Sequence, residues 1–83
     1  MNDLFKKIKE VKEKYSNVIV LCEVDGCYEA YDDDALTLAG IASVPVGDYG
    51  NGVIATIDHG IVDDVLRKIM AKGKRVAFIN KLN

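Results

Sequence analysis

The sequence predicts one α/β domain of the α+β type: a small mixed sheet of about five strands with three helices, in the order α-β-β-α-β-β-α-β. Three observations carry that prediction. Val18 to Val24 is a β-branched apolar run joined through Asp25-Gly26 to a second short run, the pattern of a tight hairpin. Apolar residues recur at helical spacing in segments 4–15 and 61–70. Residues 53–80 read strand, helix, strand, a crossover that returns its last strand to the sheet.

Asn2 or Asp3 can cap the first helix. Leu4, Phe5, Ile8, Val11 and Tyr15 form its apolar stripe, and Lys6, Lys7, Lys9, Lys12 and Lys14 take the remaining surface, before Ser16-Asn17 ends it. A lysine face of this kind is first a solvated face; binding of nucleic acid or another acidic surface is the second reading. In the hairpin, a type I′ turn at Asp25-Gly26 pairs Val24 with Cys27, Glu23 with Tyr28 and Cys22 with Glu29. One face then carries Ile19, Leu21, Glu23, Tyr28 and Ala30, and the other Val20, Cys22, Val24, Cys27, Glu29 and Tyr31. Both are largely apolar, so an interior hairpin is expected, with part of each face covered.

Asp32, Asp33 and Asp34 read as an N-cap and two first-turn acids, placed where a helix start favours negative charge. A divalent-metal site completed by Glu29 would need further ligand spacing that the sequence lacks, so no metal is expected. The helix should end near Gly40 as a C′ glycine. Val44-Pro45-Val46 reads as a brief edge strand, Gly47 to Gly52 as a flexible hairpin loop, and Val53 to Ile57 as the next strand. A phosphate loop at Gly47 to Gly52 is disfavoured, because Asp48 sits inside it and a strand follows where a helix is required. His59 has no Cys or Ser placed for nucleophilic catalysis and reads as a helix-start residue beside Gly60. The last helix should bury Ile61, Val62, Val65, Leu66, Ile69 and Met70 and stop at Gly73, before a strand from Arg75 to Asn80.

At 83 residues, 49% hydrophobic and 29% charged, the chain has the composition of a single soluble globular domain with a thin stability margin. No apolar run approaches the roughly 18 residues a membrane span needs, and the charged N-terminal segment is unlike a secretory signal, so a cytoplasmic location is expected. Two cysteines are too few for a disulfide framework and lack metal-site spacing. The net charge of −2 conceals a segregation: residues 16–66 hold ten acids and no Lys or Arg, while all eleven basic residues lie in 6–14 and 67–81. Any surface for a polyanion must therefore come from the terminal segments, with Lys6, Lys9, Lys74 and Arg75 as the candidates.

Asp25 to Ala35, DGCYEAYDDDA, resembles the stretch Gly-Asp-Phe-Tyr-Glu-Leu-Phe followed by Asp-Asp-Ala in the N-terminal mismatch-recognition domain of the MutS family. Val65 to Asn80, VLRKIMAKGKRVAFIN, resembles the same domain's helix, glycine and Val-Ala-Ile strand, and the likeness spans roughly residues 17–80. The resemblance implies a domain that enters the minor groove at a mispair, where a Phe wedges beside the unpaired base and a Glu hydrogen-bonds to it. Carried over, Cys27 stands at the Phe position, Tyr28 at the intervening aromatic and Glu29 at the Glu. A thiol cannot stack on a base, and base–aromatic stacking contributes roughly 1–3 kcal/mol. The segment after Asp-Asp-Ala is about one helical turn short of the family pattern. Gly60 rather than His59 falls at the family's His position, and there is no Walker motif, clamp or lever.

The expectation is a stand-alone, non-catalytic MutS-like module associated with DNA repair or mobile-element DNA, with weak or no mismatch recognition of its own. Its partner would be DNA, bound nonspecifically or through a larger complex. The alternative is a diverged protein-interaction or regulatory domain that binds a protein and no nucleic acid. An enzyme ranks last, since no nucleophile–base pair, metal cluster or cofactor loop is present; no cofactor, small-molecule substrate or membrane is expected.

Overall fold

A computed structural model describes residues 3–80. Its elements are α1 (Asp3–Lys14), β1 (Val18–Val24), β2 (Cys27–Tyr31), α2 (Asp33–Ala42), β3 (Val46–Tyr49), β4 (Gly52–Asp58), a 3-10 turn (His59–Ile61), α3 (Val62–Ala71) and β5 (Arg75–Asn80). The five strands form one sheet in the order β3-β4-β2-β1-β5. Only β1 and β5 run parallel, α3 carrying the chain from β4 across to β5, and the other neighbours are antiparallel. The hairpin register is the one the turn predicts, Cys22 opposite Glu29, Glu23 opposite Tyr28 and Val24 opposite Cys27.

β1 lies inside the sheet with both faces covered, which is why its first five residues are all apolar and buried. Toward α2 and α3, Ile19, Leu21, Ala30, Ala55 and Ile57 pack with Leu38, Val65 and Ile69. Toward α1, Val18, Val20, Cys22, Tyr31 and Ile79 pack with Leu4, Phe5, Ile8 and Val11. The result is three layers, with α1 on one side and the α2–α3 pair on the other.

The ends of several elements differ from the sequence expectation. A cap by Asn2 lies outside the described residues. α2 runs through Gly40 to Ala42 and closes on Ser43, whose left-handed backbone (φ 55°) turns its N–H to the Ala39 carbonyl. The edge strand begins at Val46, just after Pro45, and continues to Tyr49, so the expected six-residue loop contracts to a two-residue turn, Gly50-Asn51. Tyr15 falls beyond α1 and is exposed, and Ile61 and Met70 point to solvent instead of the core. Gly73 ends α3 as expected, with φ 74° and the paired Gly73-to-Met70 and Lys74-to-Ile69 bonds of a Schellman motif. His59 starts the 3-10 turn, and its ring also stacks on Tyr28 at 4.8 Å.

The Asp triplet divides its work. Asp33 and Asp34 occupy the first turn of α2, but Asp32, at the cap position, makes no side-chain capping bond. Its backbone (φ 56°) is turned so that its Oδ1 accepts from the Val53 N–H at 3.3 Å, fixing β4 instead of the helix. That carboxylate sits where a Cβ on residue 52 would meet it, so a side chain there would require the Asp32 carboxylate to shift. Asp34 is buried: one oxygen accepts from Lys12 Nζ at 2.6 Å and the other from the Val20 N–H at 3.1 Å. Lys12 also donates to the Val18 carbonyl at 2.8 Å, so this lysine of the supposedly solvated face ties α1 to the sheet and to α2.

Candidate nucleic-acid interface

Side chains alternate along β2, so Cys27, Glu29 and Tyr31 share the face toward α1 while Tyr28 and Ala30 face α2 and α3. The structure therefore brings Cys27 and Glu29 together and places Tyr28 on the opposite side. There Tyr28 stacks on His59 and tilts against Phe78, with ring centroids 5.4 Å apart.

α1 covers only part of the face it packs on. The cluster beneath it reaches Tyr31, Val20 and Cys22, and Val24 and Cys27 lie outside that cluster. Cys27 is half-buried, opposite Val24 on β1 and the exposed Asp58 on β4. Its thiol donates to the Val24 carbonyl at 3.2 Å, turned back into its own hairpin. Glu29, also half-buried, lies between Cys22 and Thr56, and its Oε1 accepts the hydroxyl of Tyr31. Asp58 thus stands exposed at the open end of this face, and Glu29 lies between that end and Tyr31.

The four basic candidates do not converge on that end. Lys6 and Lys9 are exposed on α1, which overlies the same face, and Lys9 borders a groove of about 540 Å³ shared with Phe5, Tyr31, Tyr49 and the Asp triplet. Lys74 and Arg75 stand at the start of β5. Arg75 donates its N–H to Asn17 and lies opposite Val18, at the other end of β1 from Val24 and Cys27. Six strand steps separate those ends, about 20 Å. Among the described residues, no group of His, Cys, Asp and Glu could hold a metal ion. No helix among them is long and apolar enough to cross a membrane.

Sequence reasoning did not single out Tyr31 as a site residue. Its signal was available, since the pattern that DGCYEAY resembles ends in Phe where this chain has Tyr, and period-2 alternation puts residues 29 and 31 on one face. The ring is held at 8% exposure by Phe5 at 5.1 Å and Tyr49 at 5.3 Å, edge-on to both. Tyr49 in turn stacks on Phe5 at 5.8 Å and points its hydroxyl toward Asp32. Burial, and then the Asp32 carboxylate beside it, raises the Tyr49 pKa above its ordinary value.

Comparison with known proteins agrees with this architecture. The family described as MutS domain I matches residues 2–83. The chain is 29% identical over 79 residues to a DNA mismatch repair protein MutS of Fervidobacterium nodosum, covering 95% of this chain and 10% of that protein. It is 33% identical over 84 residues to the MutS protein of Parabacteroides distasonis, with the same coverage of each. To that of Thermosipho melanesiensis it is 26% identical over 82 residues, covering 99% of this chain and 10% of the relative. The chain spans about a tenth of the length of these curated relatives. With the family matched from end to end of the described fold, and the Cys-Tyr-Glu strand set beside β1 as its hairpin requires, the chain belongs to the MutS domain I family.

Proposed function

We propose that residues 1–83 act as one non-catalytic, DNA-associated domain of the mismatch-recognition type, with little or no selectivity for mismatched DNA on its own. The relatives it resembles are DNA mismatch repair proteins, which supports DNA repair as its context, with mobile-element DNA as part of the same proposal. The observation that carries the reading is Cys27. A half-buried thiol bonded to Val24 occupies the position where the resembled motif has a Phe, so no ring is available to unstack a weakened base step. Asp58, exposed directly opposite that position, repels phosphate, while Lys74 and Arg75 are at the far end of the sheet. DNA contact then falls to Lys6 and Lys9 and to whatever larger assembly holds the domain.

Titration into labelled matched and mismatched duplexes at low salt tests the proposal. Binding is expected to be weak, equal for the two duplexes, steeply weakened by salt, and reduced further when Lys6 and Lys9 are changed to Gln. Selective sub-micromolar binding to the mismatched duplex would overturn it.

A second reading, a protein-interaction domain without nucleic-acid binding, is favoured by Phe78. Its ring is 54% exposed on the edge strand β5, beside Tyr28 and His59, on a surface with no basic function in the first reading. If neither duplex binds at any salt concentration, this reading replaces the first.

A further inference from the structure

We infer that Tyr31 is a latch on Glu29: its hydroxyl holds the Glu29 carboxylate away from the Cys27 end of β2, so the site carries two independent blocks to base recognition instead of one. The inference deepens the function proposed above and rests on that mismatch-type reading, with Glu29 in the role the resemblance implies.

The geometry is specific. Residues two apart on a strand point to the same side and their Cα atoms are about 7 Å apart. A bond from the Tyr31 hydroxyl to Glu29 Oε1 ties the carboxylate to the neighbour on this face that lies on the side opposite Cys27. The hydroxyl cannot follow the carboxylate outward, because its ring is buried and wedged against Phe5 and Tyr49. A phenol donating to an ionised carboxylate is a charge-assisted hydrogen bond, stronger than one between neutral groups. Presenting Glu29 to a base edge would require giving up that bond as well as desolvating the carboxylate. The resembled motif has Phe at this position, which fills the same space and offers no donor.

The latch makes Cys27 and Tyr31 non-additive. Cys27→Phe restores a stacking ring but leaves Glu29 turned inward, and Tyr31→Phe releases Glu29 from the phenol but supplies no wedge. Only together do they set ring and carboxylate side by side. Because Phe keeps the ring that packs on Phe5 and Tyr49, Tyr31→Phe leaves the fold intact, which the amide NMR spectrum of the variant will verify.

The test uses two readouts on the 83-residue chain. The first needs no DNA: the side-chain carboxyl carbon resonance of Glu29, observed by NMR in the parent and in Tyr31→Phe. It is expected to move on loss of the phenol, with the other Glu carboxyl signals in place. A Glu29 signal that stays where it was overturns the latch. The second is the ratio of affinities for mismatched and matched duplexes. Each single variant is expected to leave it near one, and the double variant Cys27→Phe/Tyr31→Phe to raise it about tenfold, the scale of one base–aromatic stack. Selectivity in Cys27→Phe alone equal to that of the double variant also overturns the latch. A moved Glu29 signal with no selectivity in the double variant upholds the latch and overturns the mismatch-type reading of the domain instead.

Discussion

Cys27 and Tyr31 stand on one face of one strand, and their surroundings are opposite. At the Tyr31 end α1 lies across the sheet: Phe5 and Tyr49 enclose the ring, and Asp34 collects Lys12 from the helix and the Val20 N–H from β1. At the Cys27 end nothing from α1 joins the packed cluster, and the thiol bonds only within its hairpin while Asp58 stands exposed across from it. The strand is the same, and the difference is what the chain lays over it. One half of the face holds the domain together, and the other half is left uncovered by the packed cluster. Substitutions should separate the two cleanly.

Asp34→Ala should have the largest effect. It strands the Val20 N–H and the Lys12 ammonium at a site where the Asp34 side chain is 7% exposed. Lys12 is partly exposed and can recover some hydration, so the expected loss is about 2–3 kcal/mol, below that of a fully buried pair. Urea unfolding measures it, and a loss under about 1 kcal/mol would mean that the sealed end does not depend on this junction. Phe5→Ala comes next. It removes the ring that touches both Tyr31 and Tyr49, and because Phe5 is only half-buried the cost should be about 2 kcal/mol, short of the full range for a core aromatic.

A smaller effect is expected from alkaline pH. The folded Tyr49 pKa lies above the ordinary 10.0, so the native state holds its proton more tightly than the unfolded chain does. Its contribution is fully present below pH 10 and is lost as pH rises through the folded value, and Tyr49→Phe should flatten that part of the profile. The smallest effect belongs to the open end. Cys27→Ser should change stability by less than about 0.5 kcal/mol, since the residue is half-buried and a hydroxyl can keep the bond to Val24. A cost comparable to that of Phe5→Ala would erase the contrast between the two ends.

Much of the fold was legible in the residues themselves. The Asp25-Gly26 turn set the register of β1 on β2 and, through alternation, which residues share each face, so Cys27 and Glu29 fall together and Tyr28 apart. Gly73 ended α3 because a left-handed C′ position is a local requirement. Gly40 misled for a related reason: Ser43 took the left-handed turn, and no rule of local sequence forbids a glycine within a helix that is packed against β4 and α3. The Gly47 to Gly52 stretch reads as a loop from its glycines, yet pairing with β4 draws Gly47 to Tyr49 into a strand and leaves only Gly50-Asn51 as the turn.

The site was legible in part. Identity at position 27 marked a departure from the resembled motif, Cys where it has Phe, but the partners of the ionised groups did not follow from composition. Three consecutive aspartates are equivalent as a helix start, and the structure gives them separate roles, Asp32 to β4, Asp34 to Lys12 and β1, and Asp33 to the exposed first turn. The lysines divide in the same way, with Lys12 anchored and Lys6 and Lys9 exposed.

By itself, then, the sequence determined the order of elements, the hairpin and the sides on which its residues point, because turns, caps and alternation act between neighbours along the chain. Only the tertiary structure decided which acid is buried, which lysine is tied down, where α1 stops covering β2 and that Glu29 is bound to a fixed phenol. Those depend on groups distant along the chain, such as Lys12 and Asp34, 22 residues apart, and a charged side chain takes its meaning from the partner and the solvent it is given.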